Sequence, residues 1–175
     1  MKLEIFQPTI IQKHVLQNLM ELYQYDFSEF ESADVNENGL YGYKYLDYYW
    51  TIPTHLPFLI EVDGNLAGFA LVREIASEDS SCSSYLKICE FFIMKKYRKE
   101  GIGKQAAFHI FDLFQGVWEV AELETNLPAQ KFWRKTISEY TNNEYVEIKR
   151  DHWPGPIQRF VSAKYLPLQS LTLLL

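Results

Sequence analysis

The residues whose types and spacing could do chemistry cluster in one run, Ile93-Met94-Lys95-Lys96-Tyr97-Arg98-Lys99-Glu100-Gly101-Ile102-Gly103-Lys104, where an apolar strand pattern gives way to a helical one. The run contains R-x-x-G-x-G. Glycines at a strand-to-helix junction let the backbone turn tightly and approach a ligand, so that free N–H groups and the positive helix end converge on an anion such as a diphosphate. Arg98, Lys99 and Lys104 add cations beside that point. Glu90 lies on the strand leading into the run, where burial would raise its pKa toward neutrality and suit it to act as a general base. Facing solvent or pairing with a lysine is the alternative for Glu90, and Glu122 and Glu124 are reserves for the same task.

The elements that must position these residues follow from the pattern of apolar positions. Leu3 to Phe6 reads as a short strand ended by Pro8, and Ile11, Val15, Leu19, Leu22 and Tyr23 recur at helical spacing through about Phe30. The aromatic stretch Tyr41 to Trp50 reads as a short helix acting as a wall, broken by Pro53 and Pro57. Phe58 to Val62 and Leu66 to Val72 flank Asp63-Gly64, a hairpin signal. Glu78 to Ser84 is a small-polar loop, and Tyr85 to Met94 is too continuously apolar to be a one-sided surface strand. Gly101 opens a helix with a stripe of Ile102, Ala106, Ile110, Leu113 and Phe114, and Gly116 is placed as its C-cap. Val117 to Thr125 is a strand, Pro128 stands in the first turn of a helix reaching Ile137 or Tyr140, and Tyr145 to Ile148 and Ile157 to Tyr165 close as two strands. The order β-α-α-β-β-β-α-β-α-β-β predicts a mixed sheet covered by helices rather than a doubly wound fold.

Composition bounds the function. The chain of 175 residues, 47% hydrophobic, fits one domain spanning 1–175. A net charge of −6 argues against a nucleic-acid partner. Asp26, Glu29, Glu31, Asp34 and Glu37, with no Lys or Arg before Lys44, favour a cationic partner or are a solvated polar face. Cys82 and Cys89 lie in no C-x-x-C or metal-type spacing, His14, His55, His109 and His152 are scattered, and no metal is expected. Thin cysteine usage, the lack of a signal-type start and the lack of a membrane-length apolar run make a soluble, cytoplasmic protein the expectation. The apolar tail Leu171 to Leu175 is expected to pack on the domain or on a sister subunit in a homodimer.

A second segment, Asn126-Leu127-Pro128-Ala129-Gln130-Lys131-Phe132-Trp133-Arg134-Lys135, follows the next strand. With Arg98, Gly101 and Gly103 it gives the resemblance its specificity. Q/R-x-x-G-x-G/A after the fourth strand and N-x-x-A-x-x-F-Y-x-K after the fifth are the coenzyme A motifs of the GNAT family of N-acetyltransferases, which the chain resembles from about Leu3 to Tyr165. The resemblance implies an α+β fold with a central, mostly antiparallel sheet of about seven strands, the fourth and fifth splayed, and about four helices. It implies acetyl-CoA as co-substrate, held by Phe92, Ile93, Met94, Arg98, Lys99, Glu100, Gly101, Ile102, Gly103, Lys104, Asn126, Ala129, Phe132 and Trp133. The pantetheine arm would pair with the Phe92-Ile93-Met94 edge, and an N–H near Ile93 would stabilise the oxyanion while an amine attacks directly.

Trp133 stands where many members carry a tyrosine acid, and indole is no useful proton donor. Tyr140, Tyr45, Tyr48 or Tyr49 could stand in. Asp151 to Pro156 reads as a pinned loop shaping the acceptor pocket, with His152 as a base or substrate contact. Gly101 to Ala106 also fits the dinucleotide fingerprint G-x-G-x-x-A, but the antiparallel hairpins and the polar Arg98-Lys99-Glu100 before the glycine argue against it. The expected activity is acetyl transfer to a primary amine, a small molecule by preference; a protein N-terminus or lysine as acceptor, and a non-catalytic acyl-CoA-binding module, are the alternatives.

Overall fold

The computed structural model describes residues 1–77 and 82–162. The end of the last expected strand at Tyr165, the Leu171 to Leu175 tail and most of the loop from Glu78 lie outside the described residues. Seven strands, β1 (Leu3–Phe6), β2 (His55–Val62), β3 (Asn65–Ala76), β4 (Ser84–Ile93), β5 (Gly116–Ala121), β6 (Tyr145–Arg150) and β7 (Trp153–Ser162), form one sheet in the order β1-β2-β3-β4-β5-β7-β6. All neighbours are antiparallel except β4 and β5. The helices are α1 (Lys13–Phe27), α2 (Tyr48–Thr51), α3 (Ile102–Leu113) and α4 (Leu127–Thr141). The expected α+β fold with a seven-stranded, mostly antiparallel sheet is the one found.

Helices α3 and α4 pack on one face. Ala107, Ile110 and Phe111 of α3 and Trp133 and Ile137 of α4 bury against Val72, Ile88, Trp118, Val120 and Phe160 of the sheet. On the other face α1 and α2 set Leu16, Leu19, Met20 and Tyr49 against Leu59, Phe69, Leu71 and Phe92. The α1 stripe is therefore Leu16, Leu19, Met20 and Tyr23, the i, i+3, i+4, i+7 pattern of a helix lying on a sheet, while Ile11 and Leu22 are exposed. The β5–β7–β6 half of that second face carries charged side chains. Glu119, with only 1% of its side chain exposed, accepts from Arg159 Nη1 at 2.9 Å and Arg150 Nη2 at 2.6 Å.

Several boundaries differ from expectation: the helix expected over Tyr41 to Trp50 is only α2 (Tyr48–Thr51), β2 starts at His55 with Pro57 inside it, and β3 runs on to Ala76. β5 stops at Ala121 rather than Thr125, its last pairing being that of Ala121 with Ile157 of β7. α3 ends at Leu113 with Phe114 already extended, so Gly116 begins β5 rather than capping the helix. The segment Trp153 to Pro156 belongs to β7, so the expected pinned loop shrinks to the turn at Asp151 and His152.

Beneath α4, Glu122 is 4% exposed, and among the described residues neither of its carboxyl oxygens, nor Gln158 Oε1, has a hydrogen-bond partner. Burial pushes the Glu122 pKa up to about 8, with the charge of Arg134 only partly offsetting it and that of Glu147 adding to it. An unfolded chain loses this proton near 4.5, whereas the folded chain keeps it until about 8. Across that window the unfolded state binds fewer protons, so stability falls as pH rises. In urea titrations Glu122→Gln is expected to exceed the parent protein in stability by a few kcal/mol at pH 8, and to match it near pH 4.5.

Candidate active site

β4 and β5 run side by side only from Leu86↔Trp118 to Ile88↔Val120. Beyond Ile88, β4 keeps β3 on one edge and, among the described residues, has no strand on the other. The cause lies in β4 itself. Opposite Leu71 and Val72 stand Glu90 and Ile88, so Cys89 is an extra residue, a bulge that bends its strand and increases its twist. The bulge also breaks the alternation of side chains. Cys89 packs on the α1 face and Glu90 bonds to residues on that same face, while Leu86, Ile88 and Phe91 pack toward α3 and α4.

The freed edge carries usable polar groups. Met94 N–H donates to Ala67 O of β3 at 2.8 Å, so by strand alternation Ile93 and Phe91 turn their N–H groups into the gap. The side chains of Phe92 and Ile93 are buried, and that of Met94 is half-buried against the α1-side core. What this stretch offers a ligand is therefore mainly backbone.

After Met94 the chain makes a 3₁₀ turn, Lys95–Tyr97, and enters α3 through Lys99 at φ 67° and Gly101 at φ 77°. The left-handed Gly101 suits a residue without Cβ. Among the described residues the N–H groups from Lys99 through Lys104 make no hydrogen bond, the first one beyond them being Gln105 N to Gly101 O at 3.1 Å. A row of free N–H groups at the N-terminus of a three-turn helix is suited to receive an anion. Gly103 serves another purpose. A Cβ there would stand 3.3 Å from the Phe132 ring, so its absence lets α3 approach α4.

The cations expected beside that site are mostly engaged. Arg98 turns away from it: its Nε donates to Ile93 O at 2.7 Å, its Nη2 pairs with Asp26 of α1, and its guanidinium lies over the Phe92 ring. Lys95 also reaches Asp26, at 3.0 Å. These partners hold the Asp26 carboxyl below its usual range against the opposing effect of its own burial. Lys104 pairs with Glu139 at 2.8 Å, whereas Lys99 and Glu100 are exposed.

The second motif resolves into structure. Asn126 Oδ1 accepts from Ala129 N at 3.0 Å and caps α4, and Gln130 Nε2 donates to Leu123 O and Glu124 O, pinning the chain between β5 and α4. Phe132 stacks on Phe91 with centroids 6.0 Å apart. Trp133 is 5% exposed and packs in the core against Phe91 and Phe111. Ile102 is likewise a core side chain, leaving only its N–H to the anion site.

Glu90 has partners that the sequence reading overlooked. Tyr23 OH donates to Oε2 at 2.6 Å and Tyr43 OH to Oε1 at 2.9 Å. Burial raises the Glu90 pKa, while the two phenols act against that rise. Tyr23 carried a signal, as the i+7 position of the α1 stripe; Tyr43 belongs to the expected aromatic wall. Among the suggested stand-ins, Tyr140 donates to Asp112 at 3.0 Å and Tyr45 and Tyr48 are exposed, while Tyr49 is buried against His55 in the same α1-face cluster as Tyr23, Tyr43 and Cys89. The Cys89 thiol pKa is raised by burial, which disfavours a thiolate nucleophile. Glu122 lies beneath α4 and His152 is exposed in the β6–β7 turn.

Comparison with known proteins agrees with this fold. No curated protein matches the chain significantly. PaiA N-acetyltransferase from Thermoplasma acidophilum, solved in complex with coenzyme A, superposes with a TM-score of 0.63 at 14% identity over 92% of this chain and 99% of its own. An acetyltransferase of the GNAT family from Streptococcus agalactiae does so with a TM-score of 0.68 at 14% identity, over 93% and 96%. An aminoglycoside acetyltransferase in complex with coenzyme A gives 0.63 at 12% identity, over 91% and 95%. At such identities the likeness is one of fold. The family model described as acetyltransferase (GNAT) family matches residues 16–137, more than half of the sequence, and the chain therefore belongs to the GNAT acetyltransferase family.

Proposed function

We propose that the protein transfers the acetyl group of acetyl-CoA to a primary amine, a small molecule by preference, by direct attack with Glu90 as the base. One observation carries this reading: a single bulged strand sets an unpaired backbone edge between the free N–H groups of 99–104 at its end and Glu90 on its α1 face. The diphosphate of coenzyme A would rest on those N–H groups, with Lys99 adding charge, and the pantetheine arm would pair with the Phe91–Ile93 edge as an added strand. Arg98 acts here as a strut rather than a phosphate ligand, and Asn126, Ala129 and Trp133 support the wall from α4. Coenzyme A in two of the structurally similar acetyltransferases supports the choice of co-substrate.

The chemistry balances without a covalent enzyme intermediate. The amine nitrogen attacks the thioester carbonyl carbon and a C–N bond forms. The Ile93 N–H stabilises the developing oxyanion. Glu90 takes the proton from nitrogen, directly or through a water, the C–S bond breaks, and the thiolate leaves and is protonated by water. Glu29, Glu31, Asp34 and Glu37 follow α1 and are exposed, and the charge of Glu31 is felt at Glu90, which favours a cationic acceptor.

Thiol release with acetyl-CoA and a panel of polyamines, aminoglycosides, amino acids and peptides tests the activity, and binding of acetyl-CoA without turnover on any of them would contradict it. Glu90→Gln is expected to lower kcat by roughly 10²–10⁴ while leaving calorimetric acetyl-CoA affinity within about twofold. Gly101→Ala forces a Cβ into the left-handed region at a cost of about 1–2 kcal/mol, and acetyl-CoA affinity is expected to fall about tenfold.

A further inference from the structure

The Glu90 carboxylate is held more completely than a base needs to be for mere burial. Each oxygen takes one phenol, at 2.6 Å from Tyr23 and 2.9 Å from Tyr43, and a carboxylate so bonded keeps further lone pairs for a third donor. Both phenols are themselves fixed. The Tyr23 ring is wedged among Phe27, Phe69 and Phe92 at centroid distances of 5.2, 5.7 and 5.8 Å. Tyr43 stands on a segment clamped to α1, where Glu21 accepts from Tyr41 N at 2.8 Å and Gly42 N at 2.9 Å, and its ring meets Tyr45 at 5.9 Å.

We propose that Tyr23 and Tyr43 are positioning residues that hold Glu90, one phenol to each oxygen, as an oriented carboxylate ready to accept the acceptor's proton. The inference rests on Glu90 being the base. Three elements converge for this purpose: α1 supplies Tyr23, the clamped segment before α2 supplies Tyr43, and the β4 bulge turns Glu90 toward both. The charged and titratable groups around the carboxylate are these two phenols, the buried Tyr49 of α2, Glu31 beyond α1, Cys89 and Lys87 on β4, and Arg73 of β3, whose charge is felt at Tyr43. Burial and Glu31 favour the protonated form, and the phenols and Lys87 favour the charged one. Both phenols are pushed above their ordinary range by their own burial and by the neighbouring carboxylate, so they remain donors throughout the working pH range.

Two readouts test this. Titration of the Glu90 carboxyl by carbon NMR on protein labelled at glutamate, assigned by its loss in Glu90→Gln, needs no acceptor. Tyr23→Phe and Tyr43→Phe keep their rings and are each expected to move that titration to higher pH, and the double variant further. In parallel, the acidic limb of the kcat/KM profile shifts upward, with activity at pH 6 falling about tenfold further below its own plateau than in the parent protein. Ionisation of the amine is common to all variants, so the difference isolates the enzyme group. Unmoved Glu90 titration in both single variants, with intact melting behaviour and acetyl-CoA binding, overturns the proposal while leaving the base assignment in place. Unchanged kcat/KM in Glu90→Gln instead overturns the base assignment and the proposal with it.

Discussion

The parting of β4 from β5 after Ile88 is the constraint on which the rest of the site depends. A parallel pair that continued to Ile93 would satisfy its own N–H and C=O groups and leave nothing for a ligand to bond. The extra residue at Cys89 bends β4 as the pairing ends, and the same local defect frees the Phe91 and Ile93 N–H groups and turns Glu90 onto the α1 face. One residue of misregister thus makes both the slot and the group that works beside it. A regular β4 would place Glu90 on the α3 side, among Phe111, Trp118 and Trp133.

The surroundings read as devices that hold this opening in shape. On the α3–α4 side, Phe91 and Phe132 stack, Gly103 lets the two helices close up, and the Asn126 cap and Gln130 fix the chain where β5 stops. On the α1 side, Asp26 grips Arg98 and Lys95, which ties the helix carrying Tyr23 to the loop that enters α3. Arg98 also bonds Ile93 O, the last carbonyl of β4, so one guanidinium joins the strand end, the anion loop and α1. Glu119, sharing two arginines, does comparable work on the charged face of the β5–β7–β6 half of the sheet.

Much of this was legible in the sequence because it is local. R-x-x-G-x-G marked a left-handed entry into α3, and a left-handed glycine is a property of a few neighbouring residues. Asn126-x-x-Ala129 is a cap, which is local too. The element order followed from the spacing of apolar residues, and the two motifs in sequence sufficed to identify the family. What escaped was set by partners far along the chain. The Cys89 bulge exists only relative to Leu71 and Val72 of β3; the pairing of Arg98 with Asp26 joins residues on different elements; and the Tyr23 and Tyr43 contacts with Glu90 need the whole α1 face assembled. The early end of β5 and the early start of β7 at Trp153 have the same origin, since a strand is as long as its neighbours allow. Trp133 was legible as a departure from the family pattern, but only packing against Phe91 and Phe111 shows the indole to be core.

The central claim, that acetyl-CoA lies along the freed β4 edge with its diphosphate on the entry to α3, is tested most directly by amide hydrogen exchange with and without saturating acetyl-CoA. The account predicts new protection at Phe91 and Ile93 and across Lys99 to Lys104, with β1 and β6 unchanged. Protection confined to other surfaces, or exchange at these amides unaltered by saturating ligand, would contradict it.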